Sequence, residues 1–237
     1  QARHPYSAES THLTDGHELL KSALALKDKD GQWTPRVNPD APRFIHLDAS
    51  RTGDCFGFAM AHPTGYIAVT TTDPITGEQV VEQRTKAYVD LILQIRKPPE
   101  AGAEIPWSRV IRLIKEIKSI GFQVALCTTD MAGQGLMQQD VAAEMDMESD
   151  YLSVDRTDEQ YVALKMAILE KRVSFYNYAP FIDELMNLQH NKESGKCDHL
   201  PSRSKDTSDA VCGAVWSAMT RYGEYDTGGG SISISTF

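Results

Sequence analysis

At 237 residues, with 41% hydrophobic and 24% charged content, the chain is long enough for one sizeable domain plus extensions and has an ordinary globular composition. No apolar stretch reaches the ~18–20 residues that a membrane span needs. The opening Gln1-Ala-Arg-His-Pro-Tyr-Ser7 has no apolar signal-peptide core either, so neither membrane insertion nor secretion is expected. The net charge of −9 runs against the basic surplus that usually accompanies phosphate binding but does not exclude it, because much of the acid lies in one run.

Residues 1–42 are polar and contain prolines, with a short helix expected at His17–Leu26 ahead of an Asp/Lys-rich turn from Lys27 to Gly31. They read as a linker or the tail of a preceding domain, not as a core element. From Arg43 the pattern becomes regular. Strands are expected over 43–48, 55–62 and 65–72, with a Thr52-Gly53 turn after the first and a His62-Pro-Thr-Gly65 turn joining the last pair. Asp73-Pro-Ile-Thr-Gly77 turns the chain into a long extended run, Gln79–Ile95, which completes an antiparallel meander.

Then the period changes. Trp107, Val110, Ile111, Ile114 and Ile117 fall at helical spacing, with Arg109, Arg112, Lys115 and Lys118 opposite, Pro106 in the first turn and Gly121 as the stop. Phe122–Thr128 has few polar residues, as a strand covered on both faces does. A helix over 134–146, a strand ending near Val154, a helix over 158–171, a short strand Val173–Tyr176, a helix near 180–190 and a last helix Lys205–Tyr222 follow. The stretch from Asp140 to Glu159 sets eight acids, Asp155 among them, against Arg156 alone and reads as a solvated face and loop. Residues 224–237 read as a flexible tail. The fold class is therefore α/β: a mixed sheet of five or more strands, meander first and parallel strands after, flanked by helices. Cys55, Cys127, Cys197 and Cys212 show no Cys-x-x-Cys pair and suit free thiols in a reducing compartment.

Three lone aspartates sit at element ends. Asp48 terminates the apolar run Arg43-Phe-Ile-His-Leu-Asp48, Asp130 follows Ala125-Leu-Cys-Thr-Thr129, and Asp209 lies in the first turns of the last helix with Asp206 one turn before it. Each has a plain structural reading: a turn cap for Asp48, an N-cap or Asx-turn for Asp130, and first-turn enrichment favoured by the helix dipole for the last two. That last reading does not explain why the face of Asp206 and Asp209 continues into Ala210, Gly213 and Ala214, since a mid-helix Gly costs ~1 kcal/mol relative to Ala. Acids brought to one sheet edge by separate elements suit hard divalent cations and phosphodiester hydrolysis, in which two Mg²⁺ or Mn²⁺ ions ~3.5–4 Å apart activate water and stabilise the leaving oxygen. No zinc-spaced His/Cys cluster and no Gly-x-Ser-x-Gly elbow is present.

With those residues in view, the chain resembles the nuclease domain of the large terminase subunit of tailed bacteriophages, within the RNase H-like superfamily. Four stretches carry the likeness: Ile45-His-Leu-Asp48 with Thr52-Gly-Asp54; Gly121-Phe-Gln-Val to Asp130, then Gly135-Leu-Met-Gln-Gln139; Leu152-Ser-Val-Asp-Arg156 with Tyr161-Val-Ala-Leu-Lys165; and Cys197-Asp-His199 with Ser204-Lys-Asp206-Thr-Ser-Asp209-Ala-Val. They span 43–223, which is taken as the nuclease domain. The resemblance implies metal-binding, catalytic acids at Asp48, Asp130 and Asp209, with Asp206 as a further metal or proton-handling group. Asp54 fits the family's Thr-Gly-Asp pattern, and a structural role for it stays open. The same resemblance implies cleavage of concatemeric double-stranded viral DNA during packaging, with low sequence preference, in the host cytoplasm, beside a portal protein and a small terminase subunit.

Arg203 and Lys205 are candidates for phosphate contacts, or solvated loop cations; His199 is either a proton-transfer group or a structural residue. The family's ATPase motor has no counterpart here, since Ser194-Gly-Lys-Cys197 lacks the leading Gly and the hydroxyl of a phosphate loop, so no ATPase activity is expected. Three alternatives stand: an ATP-binding fold of the actin, Hsp70 and sugar-kinase kind, whose phosphate loop is Gly-rich where Asp48-Ala-Ser-Arg-Thr52 is not; another RNase H-like nuclease such as a junction resolvase; and a docking module whose acids are vestigial.

Overall fold

The computed structural model describes residues 17–49, 55–96, 107–130, 147–191, 195–199 and 204–225. The turn at 50–54, the helix expected over 134–146, Arg203 and the tail beyond 225 lie outside them. The first elements are a helix, His17–Leu24 (α1), and a hairpin of Ala25–Lys27 (β1) with Trp33–Pro35 (β2). The hairpin closes because Asp28 Oδ1 accepts the backbone N–H groups of Asp30 and Gln32 at 2.9 and 2.8 Å, with Gly31 at φ +84°. Contrary to expectation, this segment does hold core residues: Leu24 and Ala25 are buried in the main cluster and Trp33 packs against it. An apolar pair at the end of one short helix is too brief a pattern to be read as a core face.

Arg43 pins the segment to the sheet. Its buried guanidinium donates to the carbonyls of Asn38 (2.5 Å), Ala41 (2.6 Å) and Val37, and stacks over Phe122 at 4.9 Å. Its Nε lies 3.5 Å from Asp90 Oδ2, which His62 Nδ1 also meets at 2.7 Å.

The sheet has six strands in the order β7-β6-β3-β4-β5-β8. Arg43–Ala49 (β3), Cys55–Thr72 (β4) and Gln79–Arg96 (β5) form the antiparallel meander; Val124–Thr129 (β6) lies parallel to β3, Glu148–Tyr151 (β7) to β6, and Val173–Ser174 (β8) to β5. The expected turn at His62–Gly65 is instead a bend within one continuous strand. Pairing with β5 runs from Cys55↔Arg96 to Thr72↔Gln79, with register shifts at Met60/Ala61 and Pro63/Gly65. A bulge accommodates a proline that has no N–H to give the ladder, and Gly65 takes φ +110°. A true turn does form at 73–77, where Asp73 Oδ1 accepts the N–H groups of Ile75 (2.7 Å) and Thr76 (2.9 Å).

One face of the sheet carries Trp107–Ser119 (α2); the other carries Glu159–Leu169 (α3), Ala179–Met186 (α4) and Asp206–Thr220 (α5), with Tyr222–Tyr225 (α6) after it. A hairpin of Gln189–Asn191 (β9) and Lys196–Asp198 (β10), closed at Gly195, replaces the end of the helix expected near 180–190. Alternation along each strand sorts the side chains. On β3, Ile45 and Leu47 join the α2 cluster while Phe44 joins the α5 cluster; on β4, Phe56, Phe58 and Met60 face α2 while Ala59 and Ala61 face α5.

Small residues on both partners let α5 lie unusually close to the sheet. A Cβ at Gly57 would fall 1.9 Å from the Asp206 carbonyl oxygen, and one at Gly213 would fall 2.3 Å from Cγ of His46. The mid-helix glycine noted in the sequence is thus required by a histidine ring that occupies its space. His46 is fully buried, its Nδ1 2.8 Å from Thr128 Oγ1; that hydroxyl donates to the Ile45 carbonyl at 3.3 Å and so accepts from Nδ1–H. Burial pushes the ring's pKa down to about 3, so it is neutral.

Candidate active site

The period of β3 places Asp48 on the same face as Phe44 and His46, under α5. It pairs with Gly57 across the β3–β4 ladder, and the missing side chain there lets the first turn of α5 settle directly beside it. Asp130 follows the last residue of β6, the parallel neighbour of β3, so both strands deliver an acid at the same sheet edge. Ser153 and the Val154 N–H donate to Asp130, tying it to the segment after β7. Asp206 and Asp209 come from α5, with Asp209 buried and Asp206 half-buried.

These acids feel one another. The Asp48 carboxyl is pushed well above the usual range by burial first and then by Asp209, Asp206 and Asp130. Asp209 is raised to about 7 by burial, against the opposing pull of Lys205 and a hydrogen bond from Tyr161. Asp130 and Asp206 are raised as well, with burial the leading cause in both. Four aspartates expected from sequence therefore converge, and their repulsion is the electrostatic signature of a place short of positive charge.

Lys205 is turned inward, not toward solvent. Its side chain is buried and its ammonium pairs with Oδ2 of Asp209, one helical turn on, and with Oδ1 of Asp155. Burial opposes that charge, but the two carboxylates outweigh it and hold the ammonium's pKa above its ordinary value. Among the described residues, no three His, Cys, Asp or Glu side chains stand at the spacing that encloses a metal ion; the ammonium lies among them. His199 is partly exposed beside Asp198, its backbone N–H donating to Asp198 Oδ1 at 2.8 Å, and it lies within electrostatic reach of Asp206. Arg203 and Asp54 lie outside the described residues.

Three functional-site neighbours were not legible beforehand. Asp155 belonged to the acidic run read as a solvated face, and its side chain is indeed about half exposed, yet it reaches Lys205. Tyr161 sits on the buried face of α3 and its hydroxyl donates to Asp209 Oδ1. Glu184 on α4 is buried, and its Oε2 accepts the Ser208 N–H at the start of α5 at 2.7 Å, while Oε1 meets Ser204 Oγ at 3.3 Å and Gln94 Nε2 at 3.4 Å. A carboxylate from another helix thus satisfies an unpaired amide and the dipole of the helix that carries two of the acids. Its sequence signal was weak, one of two adjacent acids, Asp183 and Glu184, in a short helix.

No family model and no curated protein sequence matches the chain. Solved structures do. The large terminase nuclease from thermophilic phage G20c superposes with a TM-score of 0.52 at 14% identity, covering 86% of this chain and 97% of that one. The same nuclease with bound magnesium gives 0.51 at 15% identity, over 85% and 95%. The large terminase nuclease domain of Thermus phage P74-26 gives 0.50 at 15% identity, over 88% and 95%. At these identities the likeness is one of architecture: the chain has the RNase H-like fold of the phage large terminase nuclease domains.

Proposed function

We propose that this chain is a divalent-metal-dependent endonuclease that cuts concatemeric double-stranded viral DNA during genome packaging, with little sequence preference. The observation that carries the reading is the convergence of Asp48, Asp130, Asp206 and Asp209, from two parallel strand ends and one helix start, into one repulsive cluster. Their donor chemistry suits Mg²⁺ or Mn²⁺, since hard carboxylate oxygens are what hard cations take, while the described side chains as they stand do not enclose an ion. A pair of ions held by Asp48, Asp130, Asp209 and Asp206 would supply an activated water and charge neutralisation at the leaving oxygen.

The chain's own residues do the positioning. Gly57 and Gly213 let α5 approach until Asp209 stands beside Asp48, and Glu184 fixes the first turn of that helix. Tyr161 holds Asp209 through Oδ1, which leaves Oδ2 as the oxygen free to exchange partners. His46 stays neutral beneath the helix and adds no charge to the cluster. The packaging context, with a portal protein and a small terminase subunit as partners in the host cytoplasm, belongs to the same reading; the shared fold supports its nuclease part. The direct test is plasmid nicking in Mn²⁺ or Mg²⁺. Conversion of supercoiled to open-circle DNA that stops with EDTA and is absent in Asp48→Ala is expected; undiminished cleavage by that variant would remove the proposal.

A further inference from the structure

We propose that Lys205 is a resident counter-cation: its ammonium bridges Asp209 and Asp155 in the metal-free protein and hands Asp209 to an incoming divalent ion, staying with Asp155. The inference rests on the nuclease reading above and adds a role for Lys205 and Asp155, neither of which was placed among the metal ligands.

The geometry behind it is specific. Lys205 is the N-cap residue of α5, and its own carbonyl accepts the Asp209 N–H at 2.8 Å, so backbone and side chain both clasp the same residue. The aliphatic stem is buried and only its tip meets oxygen, which leaves the ammonium few other positions nearby. The two partners differ in a way that suits exchange. Asp209 is only 2% exposed and is held by Tyr161 through its other oxygen, whereas the Asp155 side chain is 51% exposed at the rim.

Charge decides the rest. Lys205 is within electrostatic reach of Asp48, Asp130 and Asp206 as well as its two direct partners, so one ammonium serves five carboxylates. It does not neutralise them, since a single positive charge faces several carboxylates. The cluster therefore still attracts cations, but a dication reaching Asp209 Oδ2 meets an ammonium already bound there, and two cations at contact in a poorly screened site repel strongly. Metal loading is then an exchange, with the departing ammonium retained at the rim instead of lost to solvent. The arrangement keeps the acids together without metal and sets a threshold ion concentration for activation.

The test is Mn²⁺ titration by isothermal calorimetry, with thermal unfolding in EDTA and in Mn²⁺, on the parent, Lys205→Met, Asp155→Asn and Asp48→Asn. Lys205→Met is expected to bind Mn²⁺ about tenfold tighter, the modest end of what removing a competing charge yields. Its melting temperature should fall in EDTA and its rise on adding Mn²⁺ should exceed the parent's. Asp155→Asn, at the exposed rim, should weaken Mn²⁺ binding, because the ammonium loses its alternative partner; it decides the matter if Lys205→Met does not fold. Weaker or unchanged Mn²⁺ affinity in Lys205→Met, or unchanged affinity in Asp155→Asn, overturns the exchange. If Asp48→Asn leaves Mn²⁺ binding intact, the metal-site reading itself fails; loss of binding there with indifference to Lys205→Met sinks only this inference.

Discussion

Gly57→Ala probes how α5 comes to lie against Asp48. An added Cβ would stand 1.9 Å from the Asp206 carbonyl oxygen, 2.5 Å from its carbonyl carbon and 3.0 Å from the Cβ of Ala210. The two closest atoms are backbone of a helix packed across three strands, so no side-chain rotation relieves the overlap. Restoring ordinary contact requires the first turn of α5 to retreat by roughly 1–1.5 Å. Overpacking of this kind costs about 1–3 kcal/mol, or ~3–10 °C in melting temperature for a domain of this size. The catalytic effect should be larger in proportion, since the same turn carries Asp206 and Asp209, and a ~1 Å misplacement can cost about 10²-fold in rate. Urea unfolding and Mn²⁺-dependent nicking measured side by side on Gly57→Ala provide the assay. Gly223→Ala, where an added Cβ meets nothing within 4 Å, serves as the control and should change stability by less than ~0.5 kcal/mol. A Gly57→Ala protein with parental stability and full nicking activity would refute the close-approach argument.

Glu184→Ala should cost about 1–2 kcal/mol, because the Ser208 N–H loses a charged acceptor at the start of α5, and should lower the nicking rate without contact with DNA; a stability change with no rate change would show that the first turn does not depend on it. The pH dependence of stability follows from Asp209, whose folded pKa of about 7 lies above the ordinary carboxylate value of 3.8. Between those values the folded state holds a proton that the unfolded state has released, so raising the pH through that window removes stability, and the loss is complete above about 7. In EDTA the melting temperature of the parent should therefore fall relative to Asp209→Asn as pH rises from 5 to 8. His46 contributes a trend of opposite sign at lower pH, but it is common to both proteins and cancels. Parallel curves for the two would contradict the raised pKa.

Much of the fold was legible because its signals are local. The amphipathic period of 107–119, the Asp73–Gly77 turn and the long extended run into Arg96 each rest on residues that are neighbours in the chain, and each formed where expected. The His62–Gly65 turn did not form, because Pro and Gly describe a local bend equally well as a bulge, and the partner strand decided between them. Asp48, Asp130 and Asp209 stood out for the same local reason: each is an acid placed where an apolar element begins or ends.

What no stretch of sequence determines is which distant atoms meet. Lys205 read as a candidate phosphate contact or a solvated loop cation, and Asp155 as one acid in a charged run, yet the fold sets them against Asp209. Gly213 was visibly anomalous, but the ring of His46 that explains it lies 167 positions earlier and arrives there only through β3 packing beneath α5. Periodicity thus determined the strands, the helices and the acids at their ends. Burial and charge pairing between elements, which depend on tertiary distance and not on sequence separation, decided how those acids are held, what balances them and how closely the helix can approach.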